Sequence, residues 1–220
     1  MPPAANQLRV LARVRRLRRA VAATAIAAVV ALAPDAAGET PPAKVVEALH
    51  QTYAGVLKDS ARLPYAARYE RLAPAIENAY DTTFMARAVI GRAWNDLSEA
   101  DQKRWAETFK RFMIANYAAR LDRDSGQRFE SLGEQKGEND TVMVLTRVID
   151  PGAENVELNY RMRKADDAWK IIDVYAKGTV SELALRRAEY AALLKSSGFE
   201  ALLASLEGKI ADLESGKKLE

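Results

Sequence analysis

Residues 155–163 read NVELNYRMR, and the alternation in this stretch decides the fold class. Val156, Leu158, Tyr160 and Met162 face one way, and Glu157, Asn159, Arg161 and Arg163 face the other. A period of two with one apolar side belongs to a strand covered on one face and wet on the other. The flanking stretches have the same character. Residues 140–149 (DTVMVLTRVI), 168–176 (AWKIIDVYA) and 127–132 (QRFESL) predict three further strands. Turn formers separate the four: Gly133 to Asn139, Pro151-Gly152 and Asp166-Asp167. Connections this short predict an antiparallel meander of four strands. In residues 140–149, Val142, Val144 and Val148 share a face while Met143, Leu145 and Ile149 occupy the other. That strand is expected to be central or covered on both sides.

Outside this block the period changes to that of a helix. Val45–Leu57 carries apolar residues at 45, 46, 49, 53, 56 and 57. Tyr65–Asn78 follows, with Pro64 at its start and Pro74 expected to break or shift it. In residues 81–94 (DTTFMARAVIGRAW), Asp81 or Thr82 can cap a helix with Phe84, Met85, Ala88 and Val89 on its apolar side. Ser98 with Asp101 is a capping-box-like start for Glu99–Leu121, whose apolar face holds Trp105, Phe109, Phe112, Met113 and Tyr117. After Gly178, two helices are predicted, Val180–Leu194 and Gly198–Ile210, then a charged, frayed tail over 211–220. Helices, then strands, then helices describe an α+β domain. No repeat or long linker divides residues 39–210, so a single domain is expected there, with the sheet packed against the N- and C-terminal helices.

The N-terminal region reads as an export signal. Residues 1–20 carry Arg9, Arg13, Arg15, Arg16, Arg18 and Arg19, and residues 21–33 (VAATAIAAVVALA) are uncharged and apolar. This run of 13 residues falls short of the ~18 or more that span a bilayer. Ala36-Ala37-Gly38 is a better cleavage site than Ala31-Leu32-Ala33, which Pro34 follows. The expectation is cleavage after residue 38 and export; the alternative is an uncleaved anchor. Removing residues 1–38 takes six Arg and one acid from 33 Lys+Arg and 30 Asp+Glu, leaving 27 and 29, a net charge of −2. The basic isoelectric point near 9.0 therefore belongs to the precursor, and nucleic acid is not an expected partner. There is no Cys, so neither disulfides nor thiol chemistry contribute.

Catalytic signals are weak. His50 is the only His and is expected on a helix, partly exposed. No G-x-S-x-G turn or Gly-rich phosphate loop accompanies it. The pairs Asp122/Asp124 and Asp166/Asp167 fall in predicted turns, where acids bond to local backbone. No catalytic residue, metal or cofactor is expected. The aromatic and Met residues on the predicted apolar faces serve a filled core and a lipid pocket equally well.

Two longer stretches are more specific as an ordered series. Residues 84–121 run FMARAVIGRAWNDLSEADQKRWAETFKRFMIANYAARL, and residues 160–209 run YRMRKADDAWKIIDVYAKGTVSELALRRAEYAALLKSSGFEALLASLEGK. Asp81, Met85, Gly91, Trp94, Ser98, Phe109, Phe112, Tyr117 and Leu121 fall in order in the first region. Tyr160-Arg161, Trp169-Lys170, Asp173-Val174, Gly178, Ser181, Arg186 or Arg187, Gly198-Phe199, Leu202 or Leu203, Leu206 and Lys209 follow in the second. This series resembles the MlaC family of periplasmic lipid-binding proteins, also called the toluene-tolerance family, over roughly residues 44–209. The family's Gly-Val-Ser is one residue longer here, Gly178-Thr179-Val180-Ser181, and the Phe that usually follows its Arg is Tyr190 or Ala188. The chain looks closest to the hopanoid-associated HpnM branch.

The resemblance implies a soluble periplasmic carrier with a lipid, hopanoid or phospholipid, as cargo. An inner-membrane transporter complex and an outer-membrane lipoprotein complex would be its partners. It also implies an apolar cavity between sheet and helices. Periodicity supplies candidate lining residues: Val142, Val144, Leu158, Tyr160, Met162, Ile172 and Val174 from the inward sheet face, with Phe84, Val89, Phe109, Met113 and Leu183 from helices. An envelope hydrolase acting on lipid or glycan, and a non-catalytic envelope scaffold, are the alternative functions.

Overall fold

The computed structural model describes residues 40–217. The expected export signal, residue 39 and the last three residues lie outside them. Helices α1 (Pro42–Asp59), α2 (Tyr65–Ala79), α3 (Thr82–Ile90) and α4 (Glu99–Arg120) precede strands β1 (Arg128–Lys136), β2 (Val142–Ile149), β3 (Val156–Ala165), β4 (Ala168–Ala176) and β5 (Val180–Ser181); α5 (Glu182–Glu214) closes the chain. A 3-10 turn, Gly91–Asp96, links α3 to α4. The strands form one antiparallel sheet in sequence order, β1-β2-β3-β4-β5. The α+β order and the meander are as the sequence predicts, with β2 in the interior. The fifth strand is an addition: two residues after the Lys177-Gly178 turn pair with the end of β4. That is too short to show a period of two.

Strand edges differ where the sheet bulges. The first strand was expected to end at Leu132 and instead runs through Gly133 to Lys136. Its register with β2 shifts between Ser131 and Gly133, and Gly133 takes φ 116°. Glycine is what permits the strand to continue through this bulge. A second shift, between Arg161 and Met162, pairs Met162 with Ile171 while Tyr160 pairs with Val174. Ile171 and Val174 therefore both join the apolar core cluster, and Ile172, buried but outside that cluster, does not. The expectation that Ile172 shares the inward face with Val174 fails because the extra residue resets the alternation.

The helix ends have identifiable causes. Asp81 Oδ1 accepts from Phe84 N (2.9 Å) to cap α3, and Ser98 Oγ accepts from Asp101 N (3.1 Å) to cap α4. Pro74 lies inside α2 without ending it. The lost hydrogen bond and ring clash cost about 3 kcal/mol, and fully buried Leu72 and Ile76 on either side hold the helix in place. The two expected C-terminal helices are joined without a loop. Helix continues on both sides of Gly198, which alone departs from it (φ 80°, ψ −178°), and the second half extends past the expected Ile210 to Glu214. Trp105, Phe109, Phe112 and Ile114 of α4 form the centre of the molecule. They are buried where α4 packs against α2, α3 and α5.

Candidate functional site

A cleft of about 90 Å³ opens between α4, the start of α5 and strands β3 and β4. Phe109 and Met113 stand one turn apart on α4, so they present one face. Leu158 comes from β3, Val174 from β4 and Leu183 from the first turn of α5; Met85, Tyr80 and Tyr117 complete the lining. Asn116, Arg120, Glu182 and Arg186 form its polar side. Arg186 lies over the Phe112 ring, 4.8 Å from the centroid, where the aromatic face attracts the cation. Apolar walls with a polar rim suit a ligand with an apolar body and a polar head.

Two carboxylates hold the walls in place. Asp173, buried in β4, accepts hydrogen bonds from Ser181 Oγ (2.6 Å), Val174 N (2.8 Å) and Leu183 N (3.1 Å). Ser181 Oγ in turn accepts from Ala184 N (2.9 Å), so it caps α5. This knot fixes where α5 leaves the sheet and places Leu183 over Val174. Asp81 plays the matching part for α3. Its N–H donates to Ile171 O (2.9 Å) and its Oδ2 accepts from Arg163 Nη2 (2.7 Å). Asp173 and Ser181 of the ordered series are thus positioning residues for the cleft.

Behind the cleft lies a set of buried hydroxyls. Tyr80 and Tyr117 share a hydrogen bond of 2.6 Å, and the Tyr53 and Tyr80 hydroxyls are 3.4 Å apart. Burial pushes the phenols of Tyr53, Tyr80, Tyr117 and Tyr160 up, so all stay protonated. His50 Nε2 is 2.9 Å from Tyr160 Oη, its ring stacks on Phe129 with centroids 4.4 Å apart, and burial lowers its pKa to about 4. The partly exposed helix position expected for His50 is corrected: it is 7 % exposed. Helix α1 packs this face on the sheet, and Tyr160 offers the ring a polar partner. Its only hydrogen bond among the described residues is to Tyr160, and no carboxylate orients it for base catalysis.

Of the twelve candidate lining residues, five meet at the cleft: Phe109, Met113, Leu158, Val174 and Leu183. Val144, Tyr160 and Met162 are fully buried in the packed core, and half-buried Val142 packs against it. Ile172 is displaced by the bulge. Phe84 lies beneath Arg163, 4.2 Å from the guanidinium carbon, and Val89 faces a groove toward α5. The candidate set thus divides between cleft, core and a separate groove. The sequence does not single out the rim. Asn116 and Arg120 repeat at four residues beside Met113 and Tyr117, and Glu182 and Arg186 do so beside Leu183. That spacing was readable, but charged helix residues are usually just solvated.

Fold and cleft together define a class: an α+β domain whose sheet and helices enclose an apolar cleft, with no catalytic constellation among the described residues. The family follows from the sequence. The model of the MlaC protein family matches residues 47–208, and the chain belongs to that family of lipid-binding proteins. The structure is similar to that of a phospholipid-binding protein from Ralstonia solanacearum, solved in complex with a phospholipid. The TM-score is 0.68 at 22 % identity, over 78 % of this chain and 97 % of that one. No curated protein matches. The HpnM branch finds no support in these likenesses.

Proposed function

We propose that this protein is a periplasmic lipid carrier. It would shield the apolar part of a phospholipid in the cleft and move it between inner- and outer-membrane components. One observation carries the reading: the cleft lined by Phe109, Met113, Leu158, Val174 and Leu183 lies in a fold shared with a protein solved with a phospholipid. The energetics favour such a device. Each buried CH₂ is worth about 0.8 kcal/mol, so an unshielded acyl chain crosses water slowly. An inner-membrane transporter complex and an outer-membrane lipoprotein complex are the proposed exchange partners, and export by the N-terminal signal is the proposed route to the compartment.

The cleft must widen to work. At about 90 Å³ it is well below the roughly 300–1,000 Å³ of sites that enclose a ligand. The element placed to move is the first half of α5. Positive-φ glycines bound it, Gly178 (φ 74°) before and Gly198 (φ 80°) after. Between residues 182 and 197 only Tyr190 is buried, and Leu185 is 56 % exposed. A segment with so few buried anchors opens at low cost. The knot at Asp173 anchors its first turn, so swinging the rest of it outward carries Arg186 off the cleft.

Native mass spectrometry and lipid extraction of the gently purified mature protein test this. A co-purified phospholipid is expected, and Leu183→Trp, which fills the cleft, should reduce its occupancy at least tenfold. A hopanoid in its place would change the cargo. A lipid-free protein that hydrolyses lipid, and loses that activity in His50→Ala, would overturn the reading in favour of an enzyme. A lipid-free, inert protein would leave a scaffold.

A further inference from the structure

A second feature lies outside the cleft and shares no lining residue with it. Helix α3 and the 3-10 turn run beside the first half of α5, leaving a groove whose two stretches hold about 670 and 600 Å³ and meet at Gly91, Arg92 and Arg187. Five cations line it: Arg87, Arg92, Arg163, Arg187 and Lys195. Its one carboxylate, Asp81, is already bound to Arg163. Arg87, Arg92 and Arg187 are exposed and make no ion pair with a described residue. This concentration of unpaired positive charge sits on a mature chain of net charge −2. The groove is also apolar along its length, with Phe84 and Trp94 at one end and Leu194 and Phe199 at the other.

Backbone geometry brings the charges together. Gly91 ends α3 at φ 58°, and a Cβ there would stand 3.0 Å from Arg187 Nη2. Any other residue would be strained at that φ, and its Cβ would crowd the guanidinium. Gly198 bends α5 at the far end, where Phe199 closes the apolar part. Guanidinium groups on an apolar floor suit one ligand chemistry: a phosphate or similar anion carried on an alkyl chain.

We propose that the α3–α5 groove is a second binding site, for an anionic amphiphile of the phosphate class. Arg92 and Arg187 hold the anion beside Gly91, and the alkyl chain lies along Leu194 and Phe199. The site does not require the carrier function of the cleft. The test is isothermal titration calorimetry with dodecyl phosphate below its micelle concentration, at low salt. Inorganic phosphate and dodecyl maltoside serve as comparison ligands. The wild-type chain should bind dodecyl phosphate at least tenfold more tightly than either. Arg92→Gln/Arg187→Gln should weaken it at least tenfold with an unchanged melting temperature, and the cleft variant Leu183→Trp should leave it intact. Equal affinity for inorganic phosphate would remove the apolar floor from the site, and equal affinity for the maltoside would remove the charge. Binding that survives the arginine substitutions, or is lost with Leu183→Trp, would place the amphiphile elsewhere and overturn the proposal.

Discussion

His50 gives the molecule a built-in response to acid. Its imidazole is buried against Phe129 and Tyr160, and burial lowers its pKa from 6.5 to about 4. The unfolded chain therefore binds this proton at a higher pH than the folded one does. Stability then rises with pH between about 4 and 6.5 and falls as the pH drops through that window. Fully developed, the effect is roughly 3 kcal/mol. Melting temperature measured from pH 4 to 7 should show this acid limb, and His50→Gln, which can still bond Tyr160 but does not titrate, should flatten it. The phenols make no contribution there, because burial moves them upward, away from this range. At this scale the sequence shows which residue titrates. It does not show that α1 turns the ring toward Tyr160, a residue 110 positions away.

Helix α5 is where local and tertiary structure part company. The break at Gly198 was legible, since Ser196-Ser197-Gly198 interrupts the apolar period. A loop was expected, and one residue suffices. At φ 80°, ψ −178° glycine lets the axis bend while the residues on either side keep their helical form. That region of backbone space is essentially closed to other residues, and occupying it costs of order 1–3 kcal/mol. Gly198→Ala meets no steric neighbour within 4 Å, so the backbone is the whole of its effect. Denaturant titration should show it destabilised by about that amount, and lipid uptake by the delipidated protein should slow if the bend is the hinge of the first half of α5. The β4 bulge is the converse case. Nothing in AWKIIDVYA distinguishes Ile171 from Ile172 as the inward residue, because the register is set by the partner strand. The capping signals act within one turn and are legible in the sequence, Ser98 outright and Asp81 as one of two candidates with Thr82.

Across the whole molecule, α4 ties the helices together, packing against α2, α3 and α5. Trp105 is fully buried on it, donates from Nε1 to Ala86 O (2.8 Å) and meets Tyr190 edge-on with ring centroids 5.6 Å apart. Its replacement by Ala should cost about 3–5 kcal/mol, a large part of the ~5–15 kcal/mol that stabilises an ordinary domain. Urea unfolding should therefore show a greatly lowered midpoint, with near-UV circular dichroism reporting looser packing. Composition, charge over residues 39–220, the two periods and the order of the motifs are properties of the chain itself. They determined the α+β class, the meander and the resemblance to the MlaC family. Which apolar residues end in solid core and which border a cleft was decided only by packing. Leu158 and Tyr160 alternate identically along β3, yet one lines the cleft and the other is sealed beneath α1. Burial depends on what covers a face, and the covering helix comes from a distant part of the sequence. The arginine groove has the same origin: α3 and the 3-10 turn on one side and α5 on the other contribute charges about a hundred residues apart, which become one site only when the helices pack side by side.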